Sequence, residues 1–289
     1  NENEIADLLY ELSGKTSIAT ADIKCAYDYL QPENICNYFD IVLAAYLLNP
    51  LKSDYDCEAI ANEYLGIMIP GTKEVFGKKN LKEAYAENPN LVAEFYMYQA
   101  YTAFAVKAVL EEKLKDAKML NLMKDIEMPL SYVLYDMERE GVIVKREELK
   151  GYGETLNGRI VELEKQIYEQ AGEVFNINSP KQLGEVLFEH MHIPGGKKTK
   201  TGYSTAADVL EKLATEYPIV NDILEYRGLA KLKSTYADGL ANYIEDDNRI
   251  HTNFNQTITA TGRISSTEPN LQNIPMRMEL GRQIRKVFV

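Results

Sequence analysis

Residues 259–275 read Thr-Ala-Thr-Gly-Arg-Ile-Ser-Ser-Thr-Glu-Pro-Asn-Leu-Gln-Asn-Ile-Pro, and they crowd a Gly262-Arg263 turn, several hydroxyls and three side-chain amides into one segment. A core has no use for that mixture, because every buried amide brings donors and acceptors that must be satisfied. A surface that reads a polar ligand does use it. An arginine fork beside a strand-end turn can donate to two acceptors at once, which makes Arg263 the leading candidate probe. Asn270, Gln272 and Asn273 supply amides within ten residues of it.

Two further segments carry anion-binding chemistry. Arg227 and Lys231 stand four apart, so helical spacing puts both on one face. They read either as a solvated face balanced by acids such as Glu225 or as a phosphate clamp. Residues 195–205 mix glycines, hydroxyls and the lysines Lys197, Lys198 and Lys200, with no acid among them, and then enter a helix. Glycine lets a backbone approach a ligand, hydroxyls and lysines contact phosphate oxygens, and helix N-termini attract anions. On residue types alone a surface loop fits this segment as well as an anion site. The spacing and the final Gly-Lys-Ser/Thr of a Walker A loop are absent.

The elements that must position these groups are mostly helical. The sequence predicts helices over 4–12, 39–48, 57–65, 90–115, 129–140, 146–171, 180–190, 204–214 and 219–243. It predicts strands over 16–20, 142–144, 250–254 and 257–264, and a polar, turn-rich stretch over 71–83. Over 146–171, Leu149, Leu156, Ile160, Leu163 and Ile167 form one apolar stripe. Ser179-Pro180 reads as an N-cap followed by proline in the first turn.

Composition narrows the function classes. The 289 residues suggest two domains and a sizeable core. No apolar run is long enough to span a bilayer, and the first residues lack the order of a signal peptide. Three cysteines without metal-ligand spacing read as thiols of a reducing cytoplasm. The formal net charge of −12 is unusual for a nucleic-acid binder. Its distribution matters more than its sum, because screening confines phosphate attraction to about 10 Å. From 262 to 289 five basic residues stand against two acids, so this end is locally basic.

The run TATGRISSTEPNLQNIP followed by MRMELGRQIRKVFV resembles the start of the palm of family A DNA polymerases, the bacterial DNA polymerase I type. The resemblance continues backwards through HTNFNQTITATGR, ILEYRGLAKLKSTY, KKTKTGYSTAADVLEKLA and FNINSPKQLGEVLFE, and it is strong from about residue 128. It implies a fold of α/β plus mainly α type. Residues 1–124 are expected as a degenerate, ribonuclease H-like 3′–5′ exonuclease-like domain incomplete at its N-terminus. Residues 125–245 are expected as palm-entry helix and thumb, and 246–289 as the start of the palm.

The resemblance also assigns roles. Arg263 matches an arginine that reaches the minor groove at the primer terminus, where every correct pair offers an acceptor at purine N3 or pyrimidine O2. Asn270, Gln272 and Asn273 match amides near primer, template or the palm–thumb junction. Lys198, Thr199, Lys200, Thr201 and Ser204 match the thumb loop that grips duplex phosphates, with Asn176, Asn178, Ser179 and Lys181 beside it. Arg227 and Lys231 match template contacts, and Arg277 a position near the incoming nucleotide's phosphates.

The family's paired metal-binding carboxylates lie beyond the position of Val289, so Mg2+ and deoxynucleotide are expected only for the complete polymerase. The expected partner of this segment is duplex primer-template DNA, bound by a cytoplasmic monomer. At the exonuclease-like positions the middle aspartate falls on Ala26, or on Asp28 with a short slip. The last aspartate falls on Gln99 and the tyrosine on Phe95, with Tyr96 one residue away. Glutamine cannot give a hard divalent cation an anionic ligand, so no proofreading activity is expected. An active metal-dependent exonuclease and a non-enzymatic helical interaction module are the alternatives.

Overall fold

The computed structural model describes residues 2–199, 202–275 and 279–289. In chain order the principal helices are α1 (Glu2–Ser13), α2 (Ile41–Leu48), α3 (Pro89–Asp116), α4 (Met128–Glu140), α5 (Arg146–Ala171), α6 (Pro180–Glu185), α7 (Ala207–Leu213) and α8 (Pro218–Leu232). The strands are β1 (Ile18–Thr20), β2 (Tyr38–Asp40), β3 (Val142–Ile143), β4 (Lys198–Thr199), β5 (Gly202–Tyr203), β6 (Arg249–Ile250), β7 (Asn253–Asn255) and β8 (Ser265–Thr267). Among the described residues they form two-stranded sheets only, and most of the regular structure is helical. Two compact units divide the chain. The first comprises 1–140 and 252–270, the second 141–251 and 271–289. The limits of these units differ from the sequence boundaries at 124 and 245.

In the first unit β1 and β2 pair in parallel, with Ile18 opposite Tyr38 and Thr20 opposite Asp40. Asp40 ends the strand and caps α2. Its Oδ1 accepts from the amides of Val42 (2.8 Å) and Leu43 (3.0 Å), and its Oδ2 from Ile23 (2.9 Å). Burial pushes the Asp40 carboxyl up to about 7, while the three amide donors pull the other way. The apolar α2 then enters a core with Ile23, Phe39, Ile60 and the α3 residues Val106, Leu110 and Leu114, all nearly inaccessible. Antiparallel β7 and β8 belong to the same unit, with Phe254 opposite Ser266.

In the second unit α5 and α8 pack along their lengths. Leu156, Leu163 and Ile167 of one and Ile223 and Leu229 of the other are fully buried. The predicted α5 stripe is therefore the core face, although Ile160 is only half-buried. β3 pairs with β6, and the end of the chain runs beside it through Val289 N to Ile143 O (3.1 Å) and Lys145 N to Val287 O (2.8 Å).

Several elements differ from the sequence reading. The expected strand over 250–254 is two strands with different partners, β6 against β3 and β7 against β8. Residues 257–264 are not a strand despite their β-branched side chains. Because 253–255 pairs with 265–267, the stretch between them must be the hairpin connection. The 71–83 stretch contains the helix Thr72–Phe76 and the start of Leu81–Glu87. Asn80 opens the latter with a capping box to Glu83, a signature the sequence carried. The predicted helices 57–65 and 180–190 are present but change to wider π-type turns partway.

Candidate nucleic-acid interface

The turn carrying Arg263 is fixed from below and exposed above. Gly262 adopts φ of +75°, the left-handed region that favours glycine, and so reverses the chain just before Arg263. Thr259 Oγ1 donates to the Arg263 carbonyl across the turn at 2.7 Å. The hydroxyl of Tyr46, on α2, donates to the Thr259 carbonyl at 2.6 Å. Ala260, Thr261, Gly262 and Arg263 are exposed. Among the described residues the Arg263 guanidinium makes no ion pair and no hydrogen bond, so its donors face solvent. Its carbonyl is held, but its fork is not.

The hairpin base is bolted to the helices of the first unit. Glu138 of α4 accepts through one oxygen from both the Phe254 amide and Lys24 Nζ, each at 2.6 Å. Lys24 also donates to the Phe254 carbonyl (2.7 Å). Gln256 Nε2 donates to the Glu127 carboxylate (2.8 Å) and carbonyl (3.2 Å). On the β8 side the buried hydroxyls of Thr252 and Ser266 share a hydrogen bond of 2.7 Å, and both reach the Pro269 carbonyl. Sequence reading missed these anchors. The available signal was general: the polar tip of a tyrosine in an apolar helix requires a partner.

Of the amides grouped with Arg263, Asn270 closes the first unit, while Gln272 and Asn273 belong to the second. All three are exposed. The Asn273 carbonyl is taken by the Tyr236 hydroxyl, which fixes the backbone there.

In the second unit, Lys198 and Thr199 form β4 and pair with β5, while Lys200 and Thr201 lie outside the described residues. So does Arg277. Lys198 Nζ lies 5.4 Å from the centre of the Tyr203 ring. Thr199 Oγ1 donates to the Gly202 carbonyl, and the Ser204 amide to the Lys197 carbonyl. Ser179 caps α6 by accepting from the Gln182 amide (3.4 Å). Asn176 Oδ1 accepts from the Asn178 amide, and Asn178 Nδ2 points to the Tyr226 hydroxyl at 3.4 Å. Lys181 is exposed, with Glu185 4.0 Å away.

Arg227 and Lys231 do not act as a pair. The Arg227 fork is half-buried and faces carbonyl groups, with Nη1 donating to Thr205 O (2.8 Å) and Nη2 to Ile177 O (3.3 Å). Burial without a carboxylate lowers its pKa. It therefore ties the segment before Ser179 to the one after β5, the two stretches assigned to phosphate. Lys231 remains exposed. Glu225, the acid expected to balance them, is instead held by Arg159 at 2.8 and 3.1 Å.

Three of the positions weighed against exonuclease residues fall around a cavity of about 820 Å3 in the first unit. Gln99, Phe95 and Tyr96 line it, with Asp22, Asp56 and Ile258. Phe95 is buried edge-on against Phe76, and Ala26 packs on the core. Asp28 is engaged elsewhere, accepting from the Tyr135 hydroxyl (2.6 Å) and Arg139 (3.0 Å). Among the described residues no group of three His, Cys, Asp or Glu side chains is arranged to hold a metal ion. No helix of the described residues is long and apolar enough to cross a membrane.

Comparison with known proteins identifies the relatives of this arrangement. The sequence profile of DNA polymerase family A matches residues 146–289. DNA polymerase I of Bacillus subtilis (strain 168) is 46% identical over 252 residues, covering 87% of this chain and 28% of that protein. DNA polymerase I of Streptococcus pneumoniae (strain ATCC BAA-255 / R6) is 45% identical over 280 residues, covering 95% of this chain and 32% of that protein. The chain thus spans about a third or less of the length of these relatives. Among solved structures, the POL domain of Pol1 from M. smegmatis, in complex with DNA primer-template and dNTP, superposes with a TM-score of 0.72. It is 36% identical, and the match covers 87% of this chain and 41% of that one. With the profile over its second half and relatives along most of its length, the chain belongs to DNA polymerase family A, in the bacterial DNA polymerase I branch.

Proposed function

We propose that this segment binds primer-template DNA and positions the primer terminus for a DNA-directed DNA polymerase. The observation that carries the reading is Arg263, an exposed guanidinium with no protein partner among the described residues, on a turn fixed at both ends. A fork held in that way suits the acceptors that all correct base pairs offer in the minor groove, so it checks pair shape without reading sequence. Asn270, Gln272 and Asn273 are assigned to the same role. The POL domain of Pol1 from M. smegmatis was solved with DNA primer-template and dNTP, which supports DNA as the partner here.

Residues 125–245 are assigned as palm-entry helix and thumb, and 246–289 as the start of the palm. Lys198, Thr199, Ser204 and the Asn176–Lys181 segment are assigned to duplex phosphates, with Lys231 as the exposed cation of α8. Arg227 would support that surface from behind. Lys200, Thr201 and Arg277 keep their assignments from sequence. Residues 1–124 are assigned as a ribonuclease H-like, exonuclease-like domain without nuclease activity, with Ala26, Phe95 and Gln99 at its altered positions. The carboxylates for nucleotidyl transfer are, by the family resemblance, outside residues 1–289. The segment is therefore proposed to bind but not to extend, with Mg2+ and deoxynucleotide serving the complete polymerase. A cytoplasmic monomer fits this role.

Fluorescence anisotropy with a labelled hairpin primer-template tests the reading. Log affinity should fall linearly with log salt, at a slope of about −0.9 per phosphate contacted. Salt-independent binding, or none at low salt, would overturn it. Degradation of a labelled single strand on adding Mg2+ or Mn2+ would overturn the assignment of residues 1–124.

A further inference from the structure

Tyr46 has no part in the roles assigned above, yet it is the residue of α2 that touches the Arg263 turn. Its side chain is almost completely buried, and its ring meets Tyr55 edge-on at 5.8 Å. A buried tyrosine hydroxyl needs a partner, and here the partner is the backbone of another element. The hydroxyl donates to the Thr259 carbonyl at 2.6 Å, and Thr259 Oγ1 in turn donates to the Arg263 carbonyl at 2.7 Å.

The helix that presents Tyr46 is itself rigidly placed. Asp40 holds its first turn through Val42 and Leu43, and holds Ile23 as well. Thr257 and Ile258, just before Thr259, line the 820 Å3 cavity of the same unit. The loop is therefore seated at its start, where Thr257 and Thr259 are half-buried, and is exposed throughout from Ala260 to Arg263.

We infer that Tyr46 is a positioning residue for primer-terminus recognition. Through Thr259 it sets the backbone from which Arg263 projects. The first unit then has a part in the polymerase that requires no nuclease chemistry: it supplies the anvil for the minor-groove probe. This rests on the assignment of Arg263 to the primer terminus.

The test is the ratio of affinities of the full 289-residue chain for hairpin primer-templates with a matched and a mismatched terminal pair. The variants are Tyr46→Phe, Thr259→Val, Arg263→Ala and Tyr46→Phe/Arg263→Ala. Tyr46→Phe removes one oxygen and keeps the ring. A misplaced fork should lose roughly three- to tenfold of the ratio, the equivalent of one hydrogen bond. Thr259→Val should lose a similar amount, and Tyr46→Phe should add nothing once Arg263 is alanine.

A ratio that falls in Arg263→Ala but stays at the parent value in Tyr46→Phe and Thr259→Val overturns the inference and leaves the Arg263 assignment standing. An unchanged ratio in Arg263→Ala overturns both. A Tyr46→Phe protein that loses matched and mismatched DNA equally, with a lowered melting temperature, has only a structural tyrosine and also overturns the inference.

Discussion

Replacing Glu138 with alanine should loosen the hairpin that presents Arg263, and the size of the effect follows from the contacts. One carboxylate oxygen accepts from the Phe254 amide and from Lys24 Nζ, both at 2.6 Å. Hydrogen bonds to a charged group contribute about 1.5–3 kcal/mol each. Two considerations reduce the sum. Both side chains are about a fifth exposed, so water can reach the orphaned groups, and Lys24 keeps its bond to the Phe254 carbonyl. A net loss of about 2–3 kcal/mol remains. Hydrogen exchange at the Phe254 amide reads it locally, and a loss of that size speeds exchange by roughly 30- to 150-fold. Glu138→Gln, which keeps an oxygen but not the charge, should lose about half as much free energy. Exchange at Phe254 within twofold of the parent in Glu138→Ala would refute the idea that this carboxylate holds the hairpin.

Other consequences are equally specific. Gly262→Ala meets no atom within 4 Å of the new Cβ, so only the left-handed backbone opposes it, and urea denaturation should show a loss of about 1 kcal/mol. Arg227→Met should destabilise the second unit by about 2–3 kcal/mol, because buried carbonyls lose their donors. Lys231→Ala should instead leave stability within about 0.5 kcal/mol and reduce the salt slope of DNA binding by about 1. Glu173 accepts from His190 and raises its pKa. The associated stabilisation should be fully present below the unfolded value near 6.5 and lost as pH rises through the folded value. An NMR titration of Glu173→Gln should bring the His190 midpoint down; an unmoved midpoint would exclude the pairing.

The helices were legible because burial imposes a period. The stripe Leu149, Leu156, Leu163 and Ile167 gives α5 its limits and its inner face, and Ser179-Pro180 marks the start of α6. The hairpin was not legible, because β-branched Thr257, Ile258 and Thr259 favour a strand locally while pairing of 253–255 with 265–267 makes them its connection. Local propensity yields to tertiary pairing in such cases. The candidate probe, Arg263, could be picked out from residue type and neighbours. Its supports could not, since Tyr46, Glu127 and Glu138 lie more than a hundred residues away, and Tyr46 and Glu138 meet backbone groups of the hairpin while Glu127 meets the Gln256 side chain. The Arg227–Lys231 spacing was read correctly as helical, but spacing cannot say that the Thr205 and Ile177 carbonyls draw one of the two cations inward.

The central claim is that Arg263 reads the minor groove at the primer terminus. It is tested most directly by the affinity of the chain for a primer-template whose terminal guanine has N3 replaced by C–H. The parent protein should bind this DNA roughly tenfold more weakly than the ordinary duplex, as expected for one lost hydrogen bond to a guanidinium. Arg263→Ala should bind both equally. The same loss in both proteins, or no loss in the parent, would contradict the claim.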